Sequence, residues 1–121
     1  ASGKPISYWQ NQRKPSLVDS DRTARFLLLP DRSLLASRIE QRLRLMVERG
    51  ALEEVRALMD LRLNAALPAM KAIGVPEFAA HLRGETDLET ALRLAGNSTR
   101  QYAKRQYTWF RNQCGLEWHR L

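Results

Sequence analysis

The 121 residues hold one cysteine, Cys114. That excludes an internal disulfide framework and any multi-cysteine zinc site, and it makes a reducing compartment, the cytoplasm, the default expectation. Long apolar runs are missing as well. The longest bulky one is Phe26 to Leu29, far short of the roughly 20 residues a bilayer requires. No charged-then-apolar leader opens the chain, so a soluble protein with no membrane partner is expected. Histidine is confined to His81 and His119, which stand apart with no metal-ligand spacing around them and read as ordinary surface or core residues. There is no glycine-rich phosphate loop. Glu53 and Glu54 are adjacent and diverge on a helix, so they form no acid/base pair, and Cys114 has no neighbouring base, which reads as a buried or incidental thiol. Acidic residues are scarce too: 13 against 20 Lys and Arg, a net charge of +7. Such an excess suggests a polyanionic partner, although charge alone does not separate nucleic acid from ribosome, membrane or phosphate ligand.

What is present fits one mainly α domain spanning 1–121, with a hydrophobic share of 44% that argues against disorder. A polar segment from Ser2 to Ser20, broken by Gly3, Pro5 and Pro15 and anchored by Trp9, predicts a short helical turn at Ile6 to Asn11 and then a loop. Phe26 to Leu29, stopped by Pro30, predicts a buried strand. Asp31 is placed to cap a helix over Arg32 to Arg49, with Leu35, Ile39, Leu43 and Met46 on its apolar line and Gly50 at its end. Leu52 to about Arg62 predicts a second helix, and Glu77 to Arg83 a short one closed by Gly84. Thr86 and Glu89 have capping-box spacing and open a long helix to about Gln113, slightly weakened by Gly96. Leu116 to Leu121 predicts a terminal strand. The chain opens on Ala1 with an element close behind, as expected of an excised piece or a processed product.

The long helix carries the strongest chemical signal. At about 100° per residue, Arg93, Asn97, Arg100, Lys104 and Arg111 share one face, and no acid occurs between Thr90 and Leu116. A stripe like this is either a solvated charged face or a phosphate contact. Tyr102, Tyr107, Trp109 and Phe110 nearby favour RNA, because arginine and lysine neutralise phosphates while aromatic rings stack on bases. On the first long helix Arg38, Arg42 and Arg49 follow one flank of the apolar line. Such arginines either snorkel to water or aim a guanidinium into a cleft, and periodicity leaves both open.

Three strings resemble the carboxyl-terminal part of the tRNA dimethylallyltransferases. They are Arg38-Ile39-Glu40-Gln41-Arg42, followed by Met46, Gly50 and Glu53-Glu54-Val55; Leu67-Pro68-Ala69-Met70-Lys71-Ala72-Ile73-Gly74; and Thr99-Arg100-Gln101-Tyr102-Ala103-Lys104-Arg105-Gln106 with Thr108-Trp109. The last is the most specific, and the resemblance runs from Ser2-Gly3-Lys4 to Trp118. It implies a prenyltransferase that moves a dimethylallyl group from dimethylallyl diphosphate to the exocyclic amine of the adenine 3′ of the anticodon. It also implies a fold similar to P-loop kinases, magnesium (Mg2+) on the diphosphate and an aspartate base. The phosphate loop and that aspartate have no counterpart in these residues. The expectation is therefore a carboxyl-terminal fragment, inactive alone, whose short strands complete a parallel α/β sheet in the full enzyme.

The resemblance also implies roles. Arg42 matches the arginine that contacts the diphosphate. Lys71, Ala72, Ile73, Gly74, Val75 and Pro76 match the loop that touches the tRNA anticodon stem-loop, although the family's usual Tyr-Arg/Lys after the glycine is Val75-Pro76 here. Arg100, Lys104 and Arg105, with Arg93 and Arg111 on the same basic helix, are expected to line the substrate channel or face RNA. The strand segments are expected to pair with each other or to drive self-association. The alternative from another class is a self-contained helical RNA-binding module without catalytic activity.

Overall fold

A computed structural model describes the backbone of residues 3–12, 18–19 and 22–121. Its elements are α1 (Ile6–Asn11), β1 (Phe26–Leu27), α2 (Arg32–Glu48), α3 (Ala51–Asp60), a 3-10 turn (Pro68–Lys71), α4 (Val75–Leu82), α5 (Leu88–Gln113) and β2 (His119–Arg120). The mainly α expectation holds among the described residues. The predicted loop around Pro15 lies outside them. Trp9, expected to anchor the first segment, is exposed and meets the Tyr8 ring edge-on at 5.3 Å.

The core forms where α5 crosses α2 and α4. Ile39 and Leu43 from α2, Val55 from α3, Phe78 and Ala79 from α4, and Ala91, Leu92 and Ala95 from α5 make one cluster, with Phe78 at 1% exposure its most enclosed large side chain. Small residues let α5 approach closely. Gly96 is buried, and a β-carbon there would stand 3.6 Å from Leu43 Cδ1. The turn between α2 and α3 depends on Gly50 at φ 101°, a left-handed conformation that carries no steric cost only for glycine.

The caps differ in one place from the sequence expectation. Asp31 caps α2 as anticipated, its carboxylate accepting from the Ser33 hydroxyl and from the Ser33 and Leu34 amides, which holds its pKa below the ordinary value. At α5 the cap is Asp87, accepting from the Thr90 amide at 2.7 Å, and not Thr86. A carboxylate is the stronger acceptor, and the helix starts one residue later than the Thr86 box requires. The Thr86 hydroxyl is left buried without a partner, and the Glu89 carboxylate pairs instead with Arg44 across the interface.

The terminal segments do meet. β1 and β2 form a parallel pair with Phe26 opposite His119 and Leu27 opposite Arg120, closed by the His119 amide on the Arg25 carbonyl at 2.8 Å. The register corrects the expected burial: Leu27 alone of Phe26, Leu27 and Leu28 is buried, because alternate residues on a strand face opposite ways. Pairing falls on His119–Arg120 rather than Leu116–Trp118, since Gly115 through Trp118 turns, with the Trp118 amide on the Gly115 carbonyl, before the chain extends. Leu116 is fully exposed.

Candidate functional site

α2 and α5 pack along a seam of Leu35, Ile39, Leu43, Gly96 and Ala103, and the seam opens into a groove on each flank. About 100° of rotation per residue decides which α2 side chain goes where: Arg38 and Arg42 emerge on one flank, Glu40 and Arg44 on the other.

On the Glu40 flank the charges are paired. Arg44 holds Glu89 with two bonds of 2.8 Å, and the interaction raises the arginine pKa and lowers the carboxyl. Arg100 reaches Glu40 at 3.3 Å and Asn97 at 2.6 Å. Farther along this flank Arg32, Arg100 and Lys104 rim a shallow apolar groove of about 190 Å3 floored by Leu35, Ala36, Ile39 and Ala103. The acid-free stripe of α5 is therefore partly neutralised after all: the acid at Arg100 comes from α2, a long-range partner that no reading along one helix can find. Arg93, Lys104 and Arg111 are exposed and form no ion pair among the described residues. Arg105 leaves the stripe and lies over the Tyr102 ring at 5.5 Å.

The opposite flank is different in kind. A groove of about 290 Å3 is lined by Arg38, Arg42, Leu35, Met46, Ile73 and Thr99 among others, and it runs on past Leu28, Leu29 and Pro30 to Tyr102 and Phe110. Neither Arg38 nor Arg42 has a carboxylate partner among the described residues. Two unpaired guanidiniums beside an apolar wall suit a ligand with an anionic head and a hydrocarbon tail, because guanidinium matches phosphate oxygens bidentately while the wall takes the tail out of water.

The segment from Lys71 to Pro76 reaches this groove through Ile73. Lys71 ends the 3-10 turn exposed, Ala72 and Pro76 are also exposed, and Val75 and Pro76 open α4. Gly74, at φ 98°, is buried against Phe78, whose ring lies 3.4 Å from where a β-carbon would be. Two residues, Glu77 and Ser98, hold the segment down. The half-buried Glu77 carboxylate accepts from the Gly74 amide at 3.0 Å with one oxygen and from the Ser98 hydroxyl of α5 at 2.8 Å with the other. The sequence signal for the first bond is an acid at the third helical position after a turn glycine; Ser98 has no local signal. The structure thus brings Arg42 together with the Lys71–Pro76 segment and puts Arg93, Arg100, Lys104 and Arg111 on the other side of the seam.

For magnesium the donor set does not fit. Among the described residues no three His, Cys, Asp or Glu side chains gather where they could hold a metal ion. Nor is any helix among them long and apolar enough to cross a membrane.

Comparison with known proteins gives a consistent result. Residues 1–113 match the family described as IPP transferase. The chain is 53% identical over 121 residues to a tRNA dimethylallyltransferase of Chelativorans sp. and 51% identical over 117 residues to one of Bartonella quintana. It spans 41% and 40% of the length of those two relatives, and 100% and 97% of its own residues are covered. A crystal structure of a tRNA delta(2)-isopentenylpyrophosphate transferase from Staphylococcus epidermidis superposes with a TM-score of 0.70 at 32% identity, over 82% of this chain and 32% of that one. The full-length tRNA isopentenylpyrophosphate transferase of Bacillus halodurans gives 0.69 at 35%, over 81% and 31%.

Proposed function

Because the chain belongs to the IPP transferase family, we propose that it is the carboxyl-terminal portion of a tRNA dimethylallyltransferase and supplies one wall of the active site. The reaction moves a dimethylallyl group from dimethylallyl diphosphate to the exocyclic amine of the adenine 3′ of the anticodon. The observation that carries this reading is the unpaired Arg42 in a groove with apolar walls, while Glu40 and Arg44, two positions to either side of it, are spent on ion pairs across the seam.

In this reading the Arg42 guanidinium binds the diphosphate, and its contribution grows as the C–O bond breaks and negative charge collects on the leaving oxygens. Leu35, Met46 and Ile73 exclude water beside it. Lys71, Ala72, Ile73, Gly74, Val75 and Pro76 meet the tRNA near the target adenine. Arg93, Lys104 and Arg111 face RNA phosphates rather than the reacting bond, Arg105 lies on the channel or RNA side of the same helix, and Arg100, held by Glu40, ties α5 to α2. Magnesium and the base that takes the amine proton belong to the remainder of the enzyme. The family match, together with a span of 41% of a relative's length, favours a portion of an enzyme over a self-contained RNA-binding module.

The test is product analysis. The complete transferase, given unmodified tRNA and dimethylallyl diphosphate, is expected to yield dimethylallyl-adenosine at the position 3′ of the anticodon on nuclease digestion and mass spectrometry, and this chain alone is expected to yield none. Transfer to another nucleoside, or transfer by the chain alone, contradicts the reading.

A further inference from the structure

The Glu77 carboxylate has no part in the chemistry above, yet among the described residues its hydrogen bonds tie the Lys71–Pro76 segment to α5. Each oxygen has its own donor: the Gly74 amide at 3.0 Å, and the Ser98 hydroxyl at 2.8 Å from an element 21 residues away. The other backbone bonds of the segment, Ala72 amide to Ala69 carbonyl, Val75 amide to Ala72 carbonyl and Phe78 amide to Gly74 carbonyl, are local turns that set its shape and its entry into α4, and none of them reaches α5. Its height over the groove matters because Ile73 is the residue of the segment that lines the groove holding Arg42, beside Thr99, the neighbour of Ser98.

We propose that Glu77 is a positioning residue: by clamping the Gly74 amide to Ser98 it sets the Lys71–Pro76 segment at the height at which it receives the tRNA beside the Arg42 groove. The clamp needs two hydrogen-bonding atoms on one planar group three residues into α4, and a glutamate there reaches both partners. Its oxygens face donors alone, so the geometry asks for a hydrogen-bond bridge rather than for charge. Glutamine can keep it. Its carbonyl oxygen replaces one acceptor at Gly74, and its amide donates to the Ser98 oxygen, since a hydroxyl accepts as readily as it donates. Alanine keeps neither bond, and Ser98→Ala keeps one.

The inference rests on the reading that this segment meets tRNA, and the experiment separates the two. In the complete transferase, hydrogen–deuterium exchange of the peptide spanning Ala72 to Phe78 reports the clamp, while KM for tRNA, KM for dimethylallyl diphosphate and kcat report its use. Glu77→Ala is expected to speed exchange of that peptide at least tenfold and to raise KM for tRNA about tenfold, one order of magnitude being the worth of a single lost positioning contact of about 1.4 kcal/mol. It should leave KM for the diphosphate and kcat at saturating tRNA within threefold. Glu77→Gln is expected to stay near wild type on every measure, and Ser98→Ala to fall between. Unchanged exchange in Glu77→Ala, or a Glu77→Gln variant as impaired as alanine, overturns the clamp. Faster exchange with an unchanged KM for tRNA leaves the clamp in place and refutes its use for tRNA, and with it the tRNA contact assigned to the segment. Should the alanine variant fail to fold, the Ser98→Ala and Glu77→Gln pair decides by the same measures.

Discussion

Gly96 sits in the middle of a 26-residue helix, where glycine costs about 1 kcal/mol against alanine, and the seam between α5 and α2 shows how much larger a side chain the position accepts. A β-carbon there would lie 3.4 Å from Arg100 Nη1, the movable end of a long side chain, and 3.6 Å from Leu43 Cδ1, both ordinary contacts. Gly96→Ala therefore keeps the helices where they are and recovers the helix propensity, a gain of about 0.8–1 kcal/mol. For a domain of this size that is a rise of about 4 °C in Tm. Gly96→Val is the counterpart: its γ-carbons have no room between Leu43 and Arg100, and overpacking of this kind costs about 1–3 kcal/mol. Urea unfolding followed by far-ultraviolet circular dichroism measures both. An alanine variant less stable than wild type would mean that α2 and α5 approach more closely at Gly96 than these distances allow, and a valine variant equal to wild type would mean that they do not meet there.

Further outcomes follow from the caps, the core and the charges. Asp87→Ala should lose about 1 kcal/mol of stability by the same unfolding assay. Thr86→Ala, which removes a hydroxyl with no partner, should lose none of it or gain slightly; the reverse order would restore Thr86 as the cap. Phe78→Ala, emptying the most enclosed side-chain position of the core, should cost about 3–5 kcal/mol. Asp31, Asp87 and Glu89 have pKa values below their ordinary ones, the first two because amide and hydroxyl donors hold the carboxylate, the third through Arg44. The unfolded chain then takes up protons first, so their stabilisation is full above the unfolded values near about 4 and fades as pH falls through the lower folded values. A Tm that rises on acidification below that point would contradict this. Replacing Lys104 and Arg111 by alanine should flatten the salt dependence of RNA binding, each lost phosphate contact removing about 0.7–0.9 from the log–log slope. Arg100→Ala should flatten it less, since Glu40 already holds that guanidinium.

Local signals were read well from the sequence and long-range ones were not. The bounds of α1, the end of α5, the Asp31 cap and the turn at Gly50 all follow from residues within one or two helical turns of each other. Thr86 misled because two neighbouring residues could both cap, and one carboxylate outcompetes one hydroxyl. Nothing close to Glu40 and Arg44 in the sequence marks them as paired with α5, and the basic stripe of α5 looked unneutralised. Their partners stand 60 and 45 residues away, beyond any periodicity argument. The same holds for the candidate site. The strings around Arg42 and Lys71–Gly74 drew attention to two segments by resemblance, but that Ile73 and Arg42 line one groove, and that Arg93, Arg100 and Lys104 line grooves on the other flank, emerged only when α2 and α5 were packed.

The central claim is that the two flanks of the α2–α5 seam do different work, and Arg42 and Arg44, two residues apart and on opposite flanks, put it to one measurement. Steady-state prenyl transfer by the complete transferase should show kcat for Arg42→Ala reduced about 100- to 1,000-fold, the usual effect of removing one donor to a developing anion, with KM for tRNA nearly unchanged. Arg44→Ala, which loses an exposed pair with Glu89, should stay within threefold of wild type. Equal effects of the two substitutions, or wild-type turnover by Arg42→Ala, would contradict the account.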